Sequence, residues 1–183
     1  MFVDCVFAFG IFSEKECIIK TIRYIDLFSG IGGFREGLSR AGDFICIGHC
    51  EIDKKANQSY EALFDTKGEW FCEDIRKADS NDIPDFDLLC GGFPCQSFSI
   101  AGNRGGFDDP RGTLFFEIAR LTAAKRPAYL LLENVPGLLN HDGGRTFAAI
   151  LHALDRLGYG LEWQVLNSKK YRDPQTRRGG HHI

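Results

Sequence analysis

Tyr24-Ile25-Asp26-Leu27-Phe28-Ser29-Gly30-Ile31-Gly32-Gly33-Phe34 decides how this chain folds. A short apolar run with strand character enters a glycine-rich turn, and the pattern then becomes that of a helix ending near Gly42. Glycines let the backbone turn tightly and approach a ligand, and the helix that follows presents free N–H groups. A strand, a glycine turn and a helix in this order open a nucleotide-binding α/β unit. Taken alone, the turn also fits a tight connection that binds nothing.

Downstream, Phe44 to His49 reads as a second strand closed by Glu51, after which Asp53 caps a helix running to about Phe64. A short extended piece around Trp70 leads to Asp74. Phe86 to Cys90 is a buried strand that opens into a long loop, Gly91 to Arg111, before a helix whose apolar face includes Leu114, Phe115, Ile118 and Leu121. Tyr129 to Leu132 is strongly apolar and ends in Glu133-Asn134-Val135-Pro136; a helix from about Arg145 to Leu157 and a last strand, Glu162 to Leu166, follow. Short apolar runs separated by helices predict parallel strands joined by crossovers. The expected fold class is α/β, a Rossmann-like, mostly parallel sheet with helices on both faces and chemistry at the strands' carboxyl ends.

Of the 183 residues, 44% are hydrophobic, enough for one sizeable core and one domain. Met1 to Thr21 is apolar and Phe-rich but has neither strand alternation nor a helical stripe, so it reads as an extension without assignable function. Asp4 interrupts the apolar start, no basic segment precedes it, and no run is long enough to span a bilayer. The expectation is a cytoplasmic protein with no membrane association. Seven cysteines occur without a CxxC pair or zinc-like Cys/His spacing, which predicts no metal and a reducing compartment. A formal charge of −3 predicts that this chain alone holds DNA poorly.

Four residues stand where chemistry is expected. Glu51, roughly 20 positions beyond the glycine turn, suits a ribose diol, and equally a solvated surface position. Asp74 suits the exocyclic amine of an adenine, or a helix cap. Cys95, in Gly91-Gly92-Phe93-Pro94-Cys95-Gln96-Ser97-Phe98-Ser99, occupies a polar loop past a strand end, whereas Cys46 and Cys90 sit in strands as small hydrophobes. Glu133 ends a buried strand where desolvation raises a carboxyl pKa and lets it donate to a ring nitrogen; the alternative is a turn cap.

In this order and spacing, DLFSGIGGF, GGFPCQSFS and LLENV resemble the cytosine-5 DNA methyltransferase family, from about Arg23 to Arg177 and including Gly105 to Phe116. The resemblance implies S-adenosylmethionine as cofactor and double-stranded DNA with a flipped cytosine as substrate. It implies that the Cys95 thiolate adds to C6 while Glu133 donates to N3. By the same resemblance Phe28, Gly30, Gly32 and Gly33 shape the cofactor pocket, Glu51 holds the ribose, and Ile52 packs on the adenine. Asp74 and Ile75 complete the adenine site, Pro94 sets the catalytic turn, and Gln96 to Phe107 closes over DNA. In Gln175-Thr176-Arg177-Arg178-Gly179 the family's first arginine is kept as Arg177, which would help hold the base and a phosphate, and Gly179 replaces the second.

The division implied is an extension of unknown role at 1–22, a partial catalytic domain at 23–178 and a divergent tail at 179–183. Target recognition and the closing segment are expected to be missing, as in a truncated frame. That predicts uncovered apolar surface beside Tyr24 to Phe28, with marginal stability or self-association. A second polypeptide supplying the missing part, a remnant that binds cofactor without turnover, and a member acting on transfer RNA are the other readings the resemblance leaves.

Overall fold

The computed structural model describes residues 3–10, 21–94 and 114–167, the first of these as backbone. Seven strands are found among them: β1 (Val3–Gly10), β2 (Ile22–Leu27), β3 (Phe44–Cys50), β4 (Trp70–Cys72), β5 (Leu88–Gly92), β6 (Tyr129–Asn134) and β7 (Gly160–Asn167). They form one sheet in the order β4-β3-β2-β5-β6-β1-β7. Strands β2 to β6 run parallel, and β1 runs antiparallel to both β6 and β7. The parallel part changes direction between β2 and β5, the switch point at which open α/β sheets form a crevice.

The helices follow the sequence pattern closely. In α1 (Gly33–Ala41), Phe34 and Leu38 lie one turn apart and pack with Tyr24, Leu88 and Cys90 on one face of the sheet. α2 (Lys54–Leu63) is capped by Asp53, whose side chain accepts from Lys55 N at 2.8 Å and Ala56 N at 3.1 Å. It joins α1 on that face through Arg35, which donates to Tyr60 Oη and forms a two-pronged ion pair with Glu69 at 2.8 Å. α3 (Leu114–Lys125) and α4 (Arg145–Arg156) cover the other face, where Ile118, Leu121, Ile150 and Leu154 pack with Ile25, Leu27, Leu89, Leu130 and Leu132. Each wholly buried leucine or isoleucine there contributes roughly 1.5–3 kcal/mol.

Two expectations change. The N-terminal stretch holds a full strand, although nothing in its own pattern announced one, because its partners are β6 and β7 at the far end of the chain. The edge beside Tyr24 to Phe28 is not uncovered: β2 lies inside the sheet, paired with β3 on one side and β5 on the other. The predicted stability defect therefore loses its structural basis. No helix among the described residues is long and apolar enough to cross a membrane.

Candidate active site

The carboxyl ends of β2, β3, β4 and β5 converge on an open pocket of about 450 Å³. Its walls include Phe28 after β2, Cys50, Glu51 and Ile52 at the end of β3, Glu73 to Arg76 after β4, and Gly92 and Pro94 at the end of β5; Leu114 of α3 closes one side.

Phe28 takes a left-handed backbone conformation, φ 57°, an uncommon state for a residue with a side chain. Gly30 follows at φ 55°, and its N–H donates to Glu51 Oε2 at 2.7 Å. The other oxygen, Oε1, accepts from Asp53 N at 2.7 Å. Two backbone amides thus pin the Glu51 carboxylate at the rim, one partner per oxygen. A carboxylate has about four acceptor positions, so the pinned group can still accept a pair of hydroxyls.

The glycines divide their labour. Gly30 supplies the amide that orients Glu51. Gly32 has φ 96°, and a Cβ there would lie 2.2 Å from the Phe64 ring, so its role is to let α1 start against the end of α2. Gly33, the first residue of α1, has open space around its Cα. None of the three is among the pocket's wall residues.

On the opposite wall, Asp74 accepts from Arg76 N at 3.1 Å and caps a single 3-10 turn, Ile75–Lys77. Its carboxylate also meets the Arg76 guanidinium at 2.7 Å and 2.8 Å, which holds its pKa below the usual carboxylate range. The capping reading of Asp74 is therefore correct, and the residue lines the pocket as well. Ile75 is buried beneath, whereas Ile52 is 57% exposed at the rim, an apolar surface offered to whatever enters.

Glu133 sits at the end of β6, half-buried and in register with Gly92 of β5. A Cβ on Gly92 would stand 3.1 Å from Glu133 Oε2, so glycine makes room for this carboxylate. Next to it, buried Asn134 donates from Nδ2 to Phe93 O at 2.6 Å and accepts from Val135 N at 2.9 Å. The amide ties the segment leading to Pro94 onto the strand that carries Glu133. Cys95 follows Pro94 in sequence; it lies outside the described residues, as does Arg177.

The sequence reading missed several neighbours. Arg76 and Leu114 line the pocket, and no spacing rule finds them because they arrive from a one-turn helix and from the first residue of α3. Asp26, inside the apolar run of β2, carries no functional signal in the sequence. It is wholly buried at the end of β2, and neither carboxylate oxygen is bonded to any described residue. Burial pushes its pKa from 3.8 up to about 7, opposed by Arg35 and reinforced by Glu51.

Residues 22–178 match the model of C-5 cytosine-specific DNA methylases. The chain belongs to that family. Among curated methylases, it is 49% identical over 160 residues to the type II methyltransferase M1.ScrFI of Lactococcus lactis subsp. cremoris, covering 86% of this chain and 40% of that protein. It is 51% identical over 155 residues to M.NgoBI of Neisseria gonorrhoeae, covering 84% and 47%. With M.HhaI of Haemophilus parahaemolyticus it shares 44% over 163 residues, covering 89% and 49%. The chain thus spans less than half the length of these methylases. Among solved structures, a mutant of Spodoptera frugiperda DNMT2 superposes with a TM-score of 0.57 at 18% identity, covering 87% of this chain and 54% of that one. S. pombe Dnmt2 gives 0.58 at 24% identity, covering 77% and 42%. Both establish the same fold.

Proposed function

We propose that this chain is the cofactor- and base-activating part of a DNA cytosine-5 methyltransferase, with S-adenosylmethionine as methyl donor. The observation that carries the reading is Glu51, held by Gly30 and Asp53 at the rim of a pocket on the switch point of the sheet. The donor set fits the cofactor: Glu51 would take the ribose hydroxyls, exposed Ile52 and buried Ile75 would flank the adenine, and Phe28, Asp74 and Pro94 would line the remainder. Gly30, Gly32 and Gly33 would act indirectly, by shaping the turn. Bound there, the cofactor supplies an electrophilic methyl group.

The chain's own residues perform the rest. A cytosine extruded from the duplex is attacked at C6 by the Cys95 thiolate, while Glu133, carrying a proton, donates to N3 and draws electron density out of the ring. C5 becomes nucleophilic and accepts the methyl group. Loss of the C5 proton and expulsion of the Cys95 thiolate then release the methylated base. Asn134 keeps the approach to Cys95 and the Glu133 strand in fixed relation. Arg177 would hold the flipped base and an adjacent phosphate.

A second reading keeps the same chemistry and the same site residues. In it the chain is one component of a split enzyme, and another polypeptide supplies target recognition.

One experiment tests both. The purified chain is incubated with S-adenosylmethionine and a duplex pool containing 5-fluorocytosine, alone and with a polypeptide carrying the remaining half of a relative. A covalent adduct that is lost in Cys95→Ser supports the first reading when the chain acts alone and the second when it needs the added half. No adduct under either condition, with cofactor bound, refutes both.

A further inference from the structure

The family match begins at Ile22, yet the sheet built by the matched residues is not continuous by itself. β6 and β7 do not pair with each other; each pairs with β1. Cys5 to Gly10 align with Asn134 back to Tyr129 on one side, and Val3 to Gly10 align with Asn167 back to Gly160 on the other. Removing this strand would leave facing rows of backbone N–H and C=O groups without partners, a cost that folded proteins avoid.

We propose that residues 3–10 are a self-supplied strand, filling a slot that the methylase-like region leaves open and fixing the height of the strand that carries Glu133. Val6 is the register partner of Glu133 and Cys5 of Asn134, so the ladder reaches the two β6 residues on which the site depends. The slot is flanked by two parallel strands and accepts an extended segment antiparallel to both. Recognition runs through the backbone ladder, so any extended segment of similar length is a competitor. A complementing polypeptide that brought such a segment would have to displace residues 3–10. The proposal follows from the sheet and stands whether or not the chain methylates DNA.

Hydrogen exchange on the full chain, read by mass spectrometry, tests it without reference to activity. Amides of residues 3–10 are expected to exchange slower than an unstructured peptide by on the order of a hundredfold or more. Phe7→Pro removes a ladder donor in the middle of an interior strand. It is expected to speed exchange in β6 and β7 together by about tenfold and to lower Tm by roughly 5–10 °C, leaving β3 and β4 protected. If the variant does not fold, the exchange of residues 3–10 in the parent chain decides. Peptide-like exchange at 3–10 beside a protected β6 and β7, or a Phe7→Pro chain whose β6 and β7 exchange as before, overturns the proposal.

Discussion

Replacing Asp26 with asparagine should stabilise this protein, and the gain should depend on pH in a defined way. The carboxyl is fully buried, no described group bonds to either oxygen, and burial pushes its pKa from 3.8 to about 7. The folded state therefore holds the proton more tightly than the unfolded chain does. Stability is retained at low pH, falls as the pH climbs from about 4 through about 7, and levels off above that. At ~1.4 kcal/mol for each tenfold, the span between 3.8 and about 7 corresponds to ~4 kcal/mol of lost stability at pH 8. Asparagine has nearly the same shape and no charge to desolvate, so Asp26→Asn should recover most of that at pH 8 and less than ~1 kcal/mol at pH 4. Urea titrations of both chains at pH 4, 6 and 8 measure the difference directly. A variant equally or less stable than the parent at pH 8, or a difference that does not grow with pH, would show that Asp26 is paired in solution and that the reasoning fails.

Glu51→Gln keeps the size of the side chain but weakens its acceptance from Gly30 N and from a diol; calorimetry should show S-adenosylhomocysteine binding weakened about 10- to 100-fold with Tm within a few degrees of the parent. Gly32→Ala should lower stability by ~2 kcal/mol or more in a denaturant titration, since the methyl group meets the Phe64 ring and the backbone is left-handed there. Asn134→Ala leaves Phe93 O without its donor and should cost ~1–3 kcal/mol by the same assay. It should also slow adduct formation at Cys95 more than it weakens cofactor binding.

Much of this architecture could be read from the chain because its signals are local. The apolar runs at Tyr24, Phe44, Phe86 and Tyr129 each became a strand, and Asp53 capped the helix assigned to it. Spacing put Glu51 beside the glycine turn, and the two do meet, since the acid and the turn end adjacent strands. Other features were invisible because they depend on distant partners. Val3–Gly10 is a strand only in the company of β6 and β7. Asp26 looks like one polar letter in an apolar word, and only the covering helices reveal that it has been sealed from water. Asp74 supported two readings; it caps the 3-10 turn and, because a capping carboxylate can also face a cavity, it lines the pocket as well. The reading of Cys95, its loop and Arg177 rests on residues outside those described.

The place of β1 in the sheet also orders events in time. Cys5 and its partner Asn134 are separated by roughly 130 positions, so the strand leaves the ribosome long before its neighbours exist. Closing so long a loop is entropically costly, and non-local pairing of this kind slows folding. Until β6 and β7 have been synthesised, an extended segment rich in phenylalanine waits with open backbone groups, the form of chain that chaperones hold and that aggregates seed. Assembly of the sheet therefore waits on its most distant strand pairing, and expression yield should respond to chaperone supply more than to substitutions in the pocket.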